Sequence, residues 1–285
     1  MPEGPEIRLA ADRVAEVLVG RTVAEVGFGL PNLKRFEQRL TGNRVTAVET
    51  RGKAMLTRFD CGLTIYSHNQ LYGRWFTTQR RRLPKTNRSL RLALHTETHS
   101  ALLYSASDIE VLSDKQLSSH AFLRRIGPDI LDPQLTAEDI VRRLKMPQYC
   151  NRAVGNLYLD QAFLAGNGNY LRSEILWAAR IWPQRRPGEL EPAELKRLAS
   201  ETLRISRRSY RTRGVTIPSS LARSLKESGL SYKQYRFHVF DREGLPCHRC
   251  DAQIQRRSMG GRNIFVCPKC QSQLAEEQRT TVFGK

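Results

Sequence analysis

Two places in this sequence hold residues whose type and spacing suit covalent or metal chemistry. The first is the start, Met1-Pro2-Glu3-Gly4-Pro5-Glu6. Methionine ahead of a small residue such as proline is normally removed, which exposes a secondary amine at Pro2. An α-amino group titrates near pH 8, about two units below a lysine, so part of it is unprotonated and nucleophilic at neutral pH. Its attack on an aldehyde-like carbon gives a permanently charged iminium, an electron sink for a later elimination. If Met1 stays, the Pro2 nitrogen is an amide and this route is closed. A plainer explanation exists: Pro2 and Glu3 lead into a helix, and Glu3 and Glu6 favour its positive end. Without further context that explanation is the stronger one.

The second place is Cys247-Pro-His-Arg-Cys250 followed by Cys267-Pro-Lys-Cys270, two C-x2-C pairs 16 residues apart. Four thiolates in two close pairs, each on a tight turn, make a tetrahedral set that suits one Zn²⁺. With no open coordination position the metal is structural. Strand-like pieces at 253–257 and 263–266 fit a two-stranded ribbon. Arg249, Arg256, Arg257, Arg262 and Lys269 make it basic. A positive β-hairpin fits a DNA groove, although many such ribbons bind protein. The remaining cysteines, Cys61 and Cys150, are expected as small buried hydrophobes. His248 is expected as a surface residue rather than a ligand.

These residues need elements to hold them. The chain has 285 residues, enough for about two domains. Lys and Arg number 47 against 28 Asp and Glu, a net charge of +19. So large a positive field favours polyanions, nucleic acid first. No apolar stretch approaches the roughly 18 residues that span a bilayer. Glu3, Glu6, Arg8, Asp12, Arg13 and Glu16 leave no apolar export signal. A reducing, intracellular setting is expected, where six cysteines do not form a disulfide framework.

The opening segment has Ile7, Ala10, Ala11, Val14, Val17 and Leu18 on one helical face, with Pro5 at its first turn and Gly20 at its stop. Short alternating segments follow at 22–28, 44–49, 54–59, 63–67, 74–78, 90–95, 101–105 and 109–112. Turn residues separate them, which predicts a mostly antiparallel sandwich or barrel. The basic run at 80–85 is expected as a solvated hairpin loop. Domains are expected at 1–126 (a β-sandwich with the first helix), 135–236 (helical) and 237–272 (zinc finger), with a linker at 127–134 and a polar tail at 273–285. Thr136 and Asp139 form a capping-box pattern that opens the helical domain. Helical pattern continues at 157–164, 170–181 and 192–206, while 207–234 predicts a partly mobile loop.

The start of the chain, Arg51-Gly-Lys53-Ala, Tyr66-Ser-His68-Asn69-Gln70-Leu71-Tyr72-Gly73, Asp160-Gln-Ala-Phe-Leu-Ala-Gly166-Asn-Gly-Asn169-Tyr170 and the four-cysteine ribbon come in one order. Together they resemble the formamidopyrimidine-DNA glycosylase/endonuclease VIII family over nearly the whole chain. Tyr66–Gly73 and Tyr104-Ser-Ala-Ser-Asp-Ile-Glu110 look like the bacterial endonuclease VIII branch. The resemblance implies an α+β multidomain fold: an N-terminal helix with a β-sandwich, a helix–two-turns–helix domain and a zinc finger, with DNA in the cleft between. It implies a bifunctional DNA glycosylase/lyase that removes oxidised pyrimidines from duplex DNA, then cuts by β and δ elimination. It also implies a bacterial cytoplasmic monomer, associated with the nucleoid through DNA.

Roles follow from the resemblance residue by residue. Pro2 would attack the sugar C1′ and hold the DNA as a Schiff base, with Glu3 as general acid/base. Lys53 would assist β elimination, and Arg262 would grip phosphate and assist δ elimination. Gln70, Leu71 and Tyr72 would fill the gap left when the damaged nucleotide is extruded. His68 and Arg125 match positions near the DNA backbone. Asn169, in a turn between helices, would seat a phosphate. Each has an ordinary structural reading alone: an exposed lysine, a strand end, a basic surface residue, a helix-connecting turn. Glu6 could orient a water or the Pro2 amine, or simply cap the helix; Glu174 reads most simply as an exposed helical glutamate. The 207–234 stretch looks longer than in close relatives and would border the lesion pocket. A non-catalytic zinc-ribbon DNA sensor and an RNA-binding zinc protein share the charge and the ribbon. The sensor has no use for a free Pro2 amine or for Glu3, and the RNA-binding reading predicts no preference for duplex DNA over structured RNA.

Overall fold

The apolar repeat at the start folds as α1, Gly4–Leu18, with Pro5 in its first turn and Ile7, Ala11, Val14, Val17 and Leu18 buried. The structure is a computed structural model that describes residues 2–80 and 82–271. The expected tail at 273–285 lies outside the described residues, as do Met1 and Arg81. The chain divides into two compact units, Met1–Ile126 and Gly127–Lys285.

In the first unit the strands are β1 (Glu25–Phe28), β2 (Val45–Arg51), β3 (Ala54–Phe59), β4 (Leu63–His68), β5 (Arg74–Gln79), β6 (Leu90–His95), β7 (His99–Tyr104) and β8 (Asp108–Ser113). They form two antiparallel four-stranded sheets, ordered β1-β6-β7-β5 and β2-β3-β4-β8. The expected sandwich is present. Between the sheets, α1 buries Val14 and Leu18 with Phe28, Met55, Ile65, Leu92, Leu94 and Leu103. Each such side chain contributes about 1.5–3 kcal/mol of transfer free energy. β3 and β4 are buried on both faces, because α3 (Asp114–Ser119) and α4 (Ala121–Arg125) cover the outer side through Leu117, Phe122 and Leu123. So Thr64 and Tyr66, outward positions of β4, are buried as well, although its sequence alternates.

Two local expectations change here. The basic run does not close a hairpin: β5 and β6 each pair with β7, not with one another. A short helix, α2 (Glu37–Leu40), and the α3–α4 pair were not evident in the strand pattern. For α3 a signal existed, because Ser113 and Gln116 form a capping box: the Ser113 N–H donates to Gln116 Oε1 at 2.9 Å.

The second unit opens with α5 (Ala137–Leu144), whose capping box is formed by Thr136 and Asp139 as the pattern predicts. Then come α6 (Pro147–Cys150), α7 (Val154–Leu157), α8 (Asn169–Ala178), α9 (Pro192–Arg211), α10 (Ser219–Glu227), α11 (Tyr232–Tyr235) and the hairpin β9 (Gln255–Met259) and β10 (Arg262–Val266). The helix expected at 157–164 does not form: α7 ends at Leu157 and turns follow. Asp160 turns the chain there, its Oδ1 accepting the Ala162 N–H at 2.8 Å. The stretch 207–234 is largely helical rather than a loop, since α9 runs on to Arg211 and α10 and α11 follow. One apolar core joins α8 and α9 to the finger, with Leu171, Ile175 and Leu198 packed in the same cluster as Phe237, Val239, Ile264 and Val266. Among the described residues, no helix is long and apolar enough to cross a membrane.

Candidate active site and metal centre

Glu3 is the N-cap of α1 and is 3 % exposed. It forms a reciprocal capping box with Glu6, whose Oε2 accepts the Glu3 N–H at 3.0 Å. The plain capping explanation is therefore physically present. It also immobilises a buried carboxylate next to Pro2, at the positive end of a 15-residue helix. Pro2 is half-buried and lines a pocket of about 410 Å³ with Glu6, Arg13, Asn69, Leu71 and Tyr72.

Lys53 and Gly52 are the two-residue turn between β2 and β3, and Gly52 takes φ +63°. Sheet register carries the arrangement on: Ala54, beside Lys53, pairs with His68, and His68 pairs with Asp108. Lys53, His68 and Asp108 thus share one end of the second sheet. Burial pushes the His68 pKa down; Asp108 opposes this and Lys53 reinforces it. Burial pushes the Asp108 carboxyl up, against the neighbouring His68.

Directly after His68 the chain makes a tight turn. The Gly73 N–H donates to the Asn69 carbonyl at 2.7 Å, and a Cβ on Gly73 would lie 2.5 Å from that oxygen. Leu71 and Tyr72 at its tip are 59 % and 69 % exposed. The two are adjacent in sequence, so this one turn presents two large apolar side chains to water together. Arg125 is exposed in the last turn of α4.

In the second unit, Asn169 opens α8. Its Nδ2 donates to the Asn263 carbonyl at 2.8 Å, and its Oδ1 accepts from Arg172 at 2.6 Å. The side-chain amide is therefore engaged within the fold, and any phosphate seat here rests on the turn's backbone. The same bond fixes the residue next to Arg262. Arg262 is exposed at the start of β10, directly after Gly260 and Gly261 at φ +63° and +69°. Two consecutive positive φ values between paired Met259 and Arg262 make the tight hairpin turn that glycine permits. Arg172, which the sequence reading missed, is fully buried and donates to the Gly155 and Met259 carbonyls at 3.0 and 3.2 Å. It ties α8 to that hairpin. An arginine among apolar neighbours on a buried helix was the available signal.

Glu174 is not an exposed glutamate. It is fully buried and accepts the Thr216 hydroxyl at 2.6 Å and the N–H groups of His238, Val239 and Phe240 at 2.9, 2.8 and 2.9 Å. Burial pushes its pKa up, while the four donors pull the other way. The two remaining cysteines also differ from expectation. Cys61 is exposed in the β3–β4 turn, and Cys150 is half-buried at the end of α6, so neither occupies a core-facing position. His248 is half-buried against His238, at a ring separation of 6.0 Å, rather than fully on the surface.

Cys247, Cys250, Cys267 and Cys270 bring all four sulfurs within 4.8 Å of one another. Three of the separations are 3.8, 3.3 and 3.4 Å. A tetrahedron of sulfurs at the usual Zn–S distance has edges of about 3.8 Å, so the set fits Zn²⁺. The Cys270 N–H and the Trp177 indole N–H each donate to a ligand sulfur at 3.3 Å, on Cys267 and Cys247 respectively. Such outer bonds orient thiolates toward a metal.

Family models match residues 1–107 to the formamidopyrimidine-DNA glycosylase N-terminal domain and 126–221 to the formamidopyrimidine-DNA glycosylase H2TH domain. Residues 244–273 match a zinc finger found in FPG and IleRS. Endonuclease 8 of Salmonella arizonae is 48 % identical over 271 residues, 95 % of this chain and 100 % of that protein. Endonuclease 8 of Escherichia coli is 47 % identical over the same shares. Among solved structures, Lactococcus lactis Fpg in complex with DNA containing N7-benzyl-Fapy-dG superposes with a TM-score of 0.79 at 21 % identity, covering 95 % of this chain and 100 % of that one. That likeness is one of fold.

Proposed function

The chain belongs to the formamidopyrimidine-DNA glycosylase/endonuclease VIII family of base-excision-repair glycosylase/lyases, and from that premise we propose that it removes oxidised pyrimidines from duplex DNA through a Schiff base on Pro2. The Pro2 amine, free once Met1 is removed, attacks C1′ of the damaged nucleotide. A C1′–N bond forms, the bond to the base breaks, and the base leaves with a proton. Glu3 protonates O4′ as the sugar ring opens, which leaves an iminium at Pro2. Loss of a C2′ proton expels the 3′ phosphate, with Lys53 assisting as acid. A second elimination, across C4′ and C5′, expels the 5′ phosphate, with Arg262 holding it. Addition of water to the iminium carbon and loss of the amine then free Pro2.

Gln70, Leu71 and Tyr72 fill the vacated step, and His68, Arg125 and the turn at Asn169 engage the backbone. The zinc finger (237–272) carries Arg262, the helical domain (135–236) carries the Asn169 turn, and the first domain (1–126) carries the covalent chemistry. The four cysteines hold Zn²⁺, which keeps the hairpin folded and takes no part in bond making. The protein works as a monomer on the nucleoid DNA of a bacterial cytoplasm.

One observation carries this reading: Pro2, next to a buried and immobilised Glu3, lines the same pocket as the exposed Leu71 and Tyr72. Capping alone requires no such loop. The test is borohydride trapping on duplex DNA with one thymine glycol or abasic site, using protein whose terminus is verified by mass spectrometry. The expected result is a covalent adduct at Pro2 that disappears when an N-terminal extension blocks the amine. Tight binding with no adduct from a free Pro2 would overturn the mechanism and leave a damage sensor.

A further inference from the structure

The motif Tyr104-Ser-Ala-Ser-Asp-Ile-Glu110 has no part in the reaction just derived, yet it lies against the exposed tip. Its residues 105–107 form the turn between β7 and β8. From that turn Ser107 Oγ donates to Gln70 Oε1 at 3.0 Å, across 37 residues of sequence. Gln70 has φ +49° and Ser105 has φ +53°. Both are left-handed conformations that an L residue adopts at a cost and keeps only where its surroundings impose them. Two such residues therefore sit in two adjoining turns joined by one side-chain bond.

Other bonds converge on the same tip. The Gln70 N–H donates to His68 Nδ1 at 3.1 Å, and the Arg88 guanidinium donates to the Tyr72 carbonyl. On the other side the Ser105 N–H donates to the Ser89 carbonyl at 2.8 Å, so the 88–89 segment braces both turns. These bonds hold the turn at Gln70, Tyr72 and Gly73, while its two apolar side chains stand in water. That is the arrangement of a wedge whose ordering cost is met before DNA arrives.

We propose that Ser107 is a positioning residue for the wedge: its hydroxyl holds the Gln70 side-chain carboxamide against the β7–β8 turn and thereby steadies the tip that carries Leu71 and Tyr72 for entry into a base step. This rests on the wedge assignment in the proposed function and not on the Schiff-base chemistry. The endonuclease VIII-like motif then has a mechanical task, to serve as the anvil of the tip.

The test uses the full-length protein and a duplex with an uncleavable tetrahydrofuran abasic site and 2-aminopurine as the adjacent base. Stopped-flow fluorescence reports loss of stacking as the tip enters. Ser107→Ala is expected to slow that phase by about tenfold, the effect of one lost hydrogen bond, and Ser107→Thr, which keeps the hydroxyl, to restore it. The proposal is overturned if Ser107→Ala inserts as fast as the parent, if the Thr variant is as slow as the Ala variant, or if the parent gives no fluorescence change. Because the DNA analogue cannot react, a failed borohydride trap would count against the Pro2 mechanism alone.

Discussion

At His68 the acceptor that holds the loop tip is a titratable nitrogen. Nδ1 accepts the Gln70 N–H, so the ring must be neutral, with its proton on Nε2. Burial holds its pKa below 6.5, Lys53 pushes the same way, and Asp108 pushes back; Phe122 packs edge-on at 5.9 Å, and Glu110 and His120 pair just beyond. A histidine with a depressed folded pKa contributes stability that is complete above 6.5 and is lost as pH falls through the folded value. The expected consequence is an acid limb below pH 6.5 in the rate at which the tip enters DNA. His68→Asn keeps an acceptor for the N–H two residues on and removes the titration, so the limb should flatten in that variant. An unchanged limb in the Asn variant would show that another group controls it. The chemistry proposed for Pro2 differs in kind: it depends on removal of Met1, which no fold encodes.

At the scale of elements, Glu174 on α8 holds both ends of the segment that contains α10 and α11, through Thr216 at one end and His238 to Phe240 at the other. Glu174→Gln turns an amide N–H₂ toward one of four donors, and is expected to cost about 2–3 kcal/mol in urea unfolding followed by tryptophan fluorescence. A shift as small as that of an exposed glutamate, such as Glu138, would refute the clamp. This element also shows where sequence reading stopped. The strands of the first unit were legible because each had a local period and turn residues at its ends. The 207–234 stretch was not, because the segment carrying α10 and α11 is tied at Thr216 and at His238–Phe240 by one carboxylate 42 to 66 residues upstream in sequence. The clue was α8 itself: Arg172, Ser173 and Glu174 are consecutive, and a helix buried all round must satisfy each internally. The cysteine spacing was fully legible, since the ligand set needs no long-range knowledge. The finger's strands share a core with α8, so removing zinc should disturb more than the finger. One equivalent of zinc per chain is expected, and chelation should lower the thermal midpoint by about 10 °C.

For the molecule as a whole the governing quantity is the charge of +19. A surplus of this size makes DNA binding strong at low salt whether or not a lesion is present, so bare affinity says little about the site. Salt dependence says more. If six phosphates are neutralised, the logarithm of affinity should fall against the logarithm of salt with a slope of about −5. If Arg262 and Arg125 each hold a phosphate as proposed, Arg262→Gln and Arg125→Gln should each reduce that slope by about one. Leu71→Ala and Tyr72→Ala should leave the slope unchanged and weaken binding only to DNA with a gap to fill. The exposed apolar tip carries no charge, so the two classes of variant separate on one titration series. If Arg262→Gln changes cutting but not the slope, the finger arginine acts on the reacting phosphate alone. If it changes the slope but not the cutting, the hairpin is a grip, and help for the second elimination comes from elsewhere.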